Sequence, residues 1–183
     1  MLRIFYISAA TRFATARELD DILAVARERN RADQITGLLL YHDGSFAQIL
    51  EGPDEAVRNC FERIKADDRH LGCRLLLEEE TTERYFDDWS MGCALSAAPA
   101  SMSASDTLSF STLKQVPSFQ RTQENIILKS FLSGFLANAA SAPAVKPERR
   151  AELHRLLETN GRSNRFNDDY ITQKQEKRRS CAS

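Results

Sequence analysis

Glycine is scarce in this chain, seven residues in 183, and none of them group into a phosphate-cradling loop. That counts against a P-loop or dinucleotide-binding protein. Cysteine is sparse too. Cys60, Cys73, Cys93 and Cys181 lie too far apart for a CxxC-type site, and His42, His70 and His154 do not cluster with them. Reduced thiols are therefore expected, and a metal centre is not. No GxSxG elbow or HExxH helix signals a hydrolase. No charge of one sign dominates: 25 Lys and Arg stand against 26 Asp and Glu, a net charge of −1. This leaves no basic footprint for nucleic acid. Apolar runs such as "ITGLLLY" fall far short of the ~20 residues of a membrane span. The opening "MLRIFYIS" reads as a strand, not as a signal peptide. The expectation is a cytoplasmic protein with neither nucleic acid nor membrane as a partner.

Hydrophobic residues make up 42% and charged residues 28%, enough to build an ordinary soluble core. "LRIFYIS" is apolar on both faces, as a central strand would be. "TARELDDILAVARERN" opens with a capping box, Thr15 with Glu18 three residues on, and Leu19, Ile22, Leu23 and Ala26 recur at helical spacing. "QITGLLLYHDGSFAQILEG" reads as two strands about a His-Asp-Gly turn. After Pro53, Val57, Cys60, Phe61 and Ile64 form a second amphipathic stripe. "CRLLLEEET" and "WSMGCALS" are a fourth and a fifth strand. The order β-α-β-β-α-β plus a strand is the ferredoxin-like, split-βαβ arrangement of an α+β fold. A five-stranded mixed sheet is expected, with both helices on one face. Residues 1–97 form this domain. The small, flexible "SAAPASMSAS" then leads into cap helices over 98–160: a short one in "DTLSFSTLKQ", a stronger one from Gln123 to Ala140, and a third in "PERRAELHRLLET". They cover the sheet's second face. Residues 161–183 are a disordered polar tail.

Three polar residues sit where apolar ones would pack more easily. Tyr6 is in the first strand, Asn30 just past the first helix, and Gln48 in the third strand on the face of Phe46 and Leu50. Burying a carboxamide unpaired costs roughly 1–3 kcal/mol. Each could be separately satisfied, Tyr6 as a core tyrosine, Asn30 as a helix C-cap and Gln48 by backbone. Alternatively the three converge between the helices and the sheet.

The motifs "N-x4-ITGLL-x-Y" from Asn30 and "F-x-Q-x-LEG" from Phe46, with "FYIS", "IKADDRH" and "RYFDDWSMG", resemble the BLUF domain, a flavin-dependent blue-light sensor. The resemblance covers residues 1–95. The helices to about residue 140 resemble the cap of short, stand-alone BLUF proteins. It implies that Tyr6 is the photoactive tyrosine and that Gln48 links it to flavin N5 and O4. It implies that Asn30 bonds the O4/N3 edge and that Ile22 packs on the ring. Asp67 and Arg69 are implied as polar flavin contacts and Arg63 as a phosphate contact. Trp89 and Met91, in "WSM", are the last-strand pair that alternate near the glutamine and relay the signal. Arg29 stands where relatives carry His or Asn. The implied mechanism is electron transfer from Tyr6 to flavin, proton movement through Gln48, and a rearranged amide that shifts absorption to the red.

The cofactor is then FAD, with FMN or riboflavin as alternatives. The resemblance implies a sensor and not an enzyme; a separate downstream signalling protein and a homo-oligomer are expected as partners. An acyl-phosphate hydrolase on the same topology would use an Arg–Asn pair such as Arg29–Asn30, but "SAATRFAT" offers no glycine loop. An RNA-binding sheet would need basic residues that "GSFAQILEG" lacks. A BLUF-like fold serving only protein interaction is the remaining alternative.

Overall fold

In the computed structural model, residues 1–95 and 107–141 are described. Alternation organises the first strand, β1 (Leu2–Ala10). Leu2, Ile4 and Tyr6 point to one face and Phe5 to the other, so β1 is buried on both sides. It lies between β3 (Ser45–Gly52) and β4 (His70–Glu80), antiparallel to each. α1 (Ala16–Ala32) begins at its capping box. Thr15 Oγ1 accepts the Glu18 N–H at 3.3 Å, and Glu18 Oε2 accepts the Thr15 N–H at 2.8 Å. β2 (Thr36–His42) and β3 join through Asp43 and Gly44, whose φ angles of 44° and 77° suit a two-residue type I′ turn. α2 (Asp54–Lys65) follows Pro53 and buries Val57, Cys60 and Phe61.

β5 (Gly92–Leu95) pairs parallel with β2. Beside β5 lies a further short strand, β6 (Thr107–Ser109). The order is β4-β1-β3-β2-β5-β6. The ferredoxin-like α+β expectation holds, with α1 and α2 on one face, but the sheet gains a sixth strand. "DTLSFSTLKQ" therefore starts as β6 and only then turns into α3 (Phe110–Leu113). α4 (Pro117–Arg121) and a 3-10 turn follow. The helix expected from Gln123 is α5 (Ile126–Ser141). It starts later because Asn125 caps it, its Oδ1 accepting the N–H groups of Ile127 and Leu128 at 3.0 and 3.2 Å.

Two cores result, one on each sheet face. α1 and α2 cover Leu2, Ile4, Leu39 and Leu50. α3, α4 and α5 cover Phe5, Leu38, Leu40 and Ile49. α5 contributes Leu128, Leu132 and Leu136, one per turn. Each leucine fully buried is worth about 1.5–3 kcal/mol over exposure, which explains why the second face needs a cover.

Two placements differ from expectation. Asn30 lies inside α1, not past it, and the C-cap is Asp33. Trp89 and Met91 lie on the loop before β5, not in the strand. Their backbone is occupied elsewhere: the Gly37 N–H bonds Trp89 O at 3.0 Å, and Arg27 bonds Met91 O. The linker, third cap helix and tail expected over 96–106, 147–159 and 161–183 lie outside the described residues. Among the described residues, no helix is long and apolar enough to cross a membrane.

Candidate functional site

Tyr6 and Gln48 face each other across the β1–β3 pair, and Leu39 of β2 opposes Gln48 on its other side. Both residues project toward α1 and α2. The buried Tyr6 hydroxyl donates to Gln48 Oε1, and Gln48 Nε2 donates to Met91 Sδ at 3.1 Å. Gln48 is thus satisfied by two side chains and not by backbone. Burial pushes the Tyr6 phenol well above its usual pKa of 10, so it is a protonated donor at neutral pH. Its ring packs on Phe61, centroids 5.1 Å apart.

A cavity of about 480 Å³ opens beside this chain of bonds. Ile22, Leu23 and Ala26 of α1 form one wall, Cys60 and Ile64 of α2 another, and Leu39, Phe46, Gln48 and Met91 the floor. Asn30 enters from α1. Its Nδ2 donates to Ser90 O at 2.9 Å, while its Oδ1 is met, among the described residues, by the Cys60 thiol, 3.9 Å away. A buried carboxamide oxygen met by a thiol at that distance still has acceptor capacity. Apolar walls with two carboxamides at one end suit a flat heterocycle whose polar edge both donates and accepts. The volume falls in the range of small-molecule sites, about 300–1,000 Å³. The residues present therefore fit an isoalloxazine.

Polar residues mark the mouth. Arg63 lines it but pairs with Asp33 at 3.0 Å. Asp67 and Arg69 also line it and bond each other, and this pairing holds the Asp67 carboxyl at about 2. Arg29 is at the mouth as well. His70 packs on Phe46, centroids 4.8 Å apart with the rings tilted by 38°, and meets Ser8 Oγ through Nδ1 at 2.8 Å. Burial lowers its pKa, so it is neutral at pH 7.

The loop from Thr81 to Met91 divides its pair of expected relay residues between the two sheet faces. Met91 belongs to the cavity-side core. Trp89 packs on the cap side and stacks on Phe86, centroids 5.8 Å apart. Gly92 makes room for it: a Cβ there would sit 2.2 Å from the indole. Sequence reasoning missed how firmly the loop is held. Arg27 donates to Met91 O at 2.9 Å. The fully buried Glu51 accepts from the N–H groups of Tyr85 and Phe86 at 3.0 and 3.1 Å, and from Arg3 Nε at 2.6 Å. The "LEG" motif contains Glu51, and a carboxylate beside Ile49 and Leu50 in a strand was the available signal.

Fold and cavity together define an α+β domain with a cavity of small-molecule size between its first two helices and its sheet. A family profile described as "BLUF: Sensors of blue-light using FAD" matches residues 1–92, and the chain belongs to that family. It is 40% identical over 90 residues to photoactivated adenylate cyclase subunit beta of Euglena gracilis, a match covering 49% of this chain and 10% of that protein. It is 33% identical over 70 residues to the blue light- and temperature-regulated antirepressor BluF of Escherichia coli (strain K12), covering 38% of this chain and 17% of that one. The matches thus span only a small part of these curated relatives. Among solved structures, the ground state of BlsA superposes with a TM-score of 0.52 at 28% identity, over 79% of this chain and 91% of that one. The dark state of BlrB, described as a BLUF protein, gives 0.50 at 28%, over 86% and 96%.

Proposed function

We propose that this BLUF protein senses blue light through Tyr6 and Gln48 and signals through the Thr81–Met91 loop to its cap. The supporting observation is the Tyr6–Gln48–Met91 chain of bonds on the wall of a flavin-sized cavity. A bound flavin, FAD by the family's description with FMN or riboflavin as alternatives, would supply a blue-light-driven oxidant. Asn30 would hold its polar edge, Ile22 its face, and Arg63, Asp67 and Arg69 the part that leaves the mouth. Tyr6 would give an electron to that oxidant and its Oη proton to Gln48, and both would return to Tyr6 on recombination, so nothing is oxidised overall. The Gln48 amide would be left with its donor and acceptor ends exchanged.

The exchange has a consequence at Met91. A thioether accepts hydrogen bonds but cannot donate. Once Oε1 faces Met91, the Gln48–Met91 bond is lost and the loop loses one of its anchors. That is a local change biasing a two-state element. In this reading residues 1–97 are the sensor, 98–160 the cap and 161–183 a polar tail. The chain is a cytoplasmic homo-oligomer that acts on a separate signalling protein and is not itself a catalyst. Relatives joined to other activities, such as the Euglena cyclases, carry them in much longer chains.

The purified protein should bind one flavin per chain and show a reversible red shift under blue light. It should recover in the dark without added reductant. A protein that stays colourless after titration with FAD, FMN and riboflavin would sink the proposal. The raised Tyr6 pKa adds a pH test. The phenol stays protonated through pH 10, so the amplitude of the shift should be flat from pH 7 to pH 10. The associated stability is present below the unfolded tyrosine pKa, near 10, and is lost only as pH rises toward the folded value. A titration of amplitude with a midpoint below pH 9 would contradict the assignment.

A further inference from the structure

A second set of polar residues, outside the cavity, ties the relay loop to α5. Glu51 holds the loop at Tyr85 and Phe86 and is bonded by Arg3 Nε. The Arg3 guanidinium makes further contacts. Nη1 reaches Glu79 Oε1 at 2.6 Å, Nη2 reaches Glu83 O at 2.8 Å, and Cζ lies over the Tyr85 ring, 3.6 Å from its centroid. Glu79 Oε2 in turn accepts from Asn125 Nδ2 at 3.1 Å. Asn125 is the residue that caps α5. Arg121, one turn earlier, donates to Tyr85 O at 2.6 Å. The path from the loop to the start of α5 is thus made of charge-assisted hydrogen bonds through a buried centre, Arg3 and Glu51.

We propose that Asn125 is a positioning residue of the light sensor: through Glu79, Arg3 and Glu51 it fixes the loop that carries Met91 and Trp89. The inference rests on the sensor reading above, although its first test does not. Charge-assisted bonds of this kind are short and directional, and a buried arginine cannot drop its proton to relieve a lost partner. Removing the Asn125 donor leaves Glu79 free to turn toward solvent and loosens one prong of Arg3. Arg3 also lies over Tyr85, which is joined through Phe86 to Trp89: the Trp89 N–H bonds Phe86 O at 3.2 Å, and the two rings stack. Displacement at Asn125 is therefore felt at Trp89, on a different element. The coupling runs both ways, so the same contacts carry a loop displacement at Met91 to the first turn of α5.

The chain has a single tryptophan, so its fluorescence reports on Trp89 alone. The test uses the full chain and two variants. Asn125→Ser keeps a capping oxygen for α5 but removes the donor to Glu79. Glu79→Ala removes the link to Arg3 and leaves Arg3 its bonds to Glu51 and to Glu83 O. Each should shift the Trp89 emission to longer wavelength. In flavin-loaded protein, each should change the dark-recovery rate several-fold. The double variant should go no further than either single one, because both cut the same path. Emission unchanged in Asn125→Ser, or effects that add in the double variant, would overturn the proposal. If the chain binds no flavin, the recovery arm fails together with the sensor reading, and the emission arm still decides this one. Should Glu79→Ala fail to fold, Glu79→Gln, which keeps the side-chain length, takes its place.

Discussion

Tyr6→Phe should retain flavin and show no light-induced shift, and Gln48→Leu should do the same. The two substitutions remove opposite ends of one bond. Phenylalanine preserves the ring that packs on Phe61, so the cavity keeps its shape and its apolar walls. What disappears is the Oη proton and the easily oxidised phenol. Leucine at position 48 preserves volume on the floor of the cavity but has no amide to exchange. It also leaves the buried Tyr6 hydroxyl without Gln48 as partner, a loss worth roughly 1–3 kcal/mol of stability. Gln48→Leu should therefore melt at a lower temperature than the unsubstituted protein. Absorption spectra before and after illumination check both variants. A normal red shift in Gln48→Leu would remove the amide from the mechanism, and one in Tyr6→Phe would require another electron donor.

The largest effect on stability is expected at Glu51. Glu51→Ala strips Arg3 of a partner in a site where neither side chain is more than a few per cent exposed, 4% and 0%. Breaking one side of a buried pair typically costs about 3–5 kcal/mol when the remaining charge is left uncompensated. Arg3 keeps Glu79 at 2.6 Å, which places its share toward the lower end. Here the N–H groups of Tyr85 and Phe86 lose their acceptor as well. Against a total of about 5–15 kcal/mol for a typical domain, such a loss would leave the chain marginal or unfolded. Replacing both charges together, Arg3→Met with Glu51→Leu, should recover the part of the loss due to the buried Arg3–Glu51 pair, since Glu79 is 29% exposed and can be solvated, but not the part due to the two N–H groups. Urea midpoints of the two variants and of the unsubstituted protein measure this. A Glu51→Ala midpoint close to the unsubstituted value would mean that water reaches and solvates Arg3.

Much of this was legible before the structure. Alternation in β1 and helical spacing in α1 and α2 placed the sheet and its first cover. The position of Gln48 on the face of Phe46 and Leu50 placed the amide in the cavity. The failures have physical causes. Trp89 and Met91 read as strand because "WSMGCALS" is rich in strand-forming and apolar residues. Their backbone, however, is bonded by Gly37 and Arg27, partners distant in sequence. β6 was hidden because three residues give no period. Asn30 looked like a cap because it stands near the end of a helical pattern, whereas its side chain reaches Ser90. Asn125 carried a capping residue's identity, yet nothing local revealed that its other end meets Glu79.

The Asp43–Gly44 turn carries a consequence beyond the geometry of a hairpin. It sets the register that places Gln48 opposite Tyr6 on one side and Leu39 on the other. Side chains alternate along a strand, so a slip of one residue would exchange the two sheet faces along the whole of β3. Ala47 or Ile49 would then meet the cavity, and the carboxamide would lie among the leucines of the cap. On the proposed mechanism, sensitivity to light would thus be written partly in the length of a turn that takes no part in the photochemistry. Insertions there should be tolerated by the fold's surface and still leave the molecule blind.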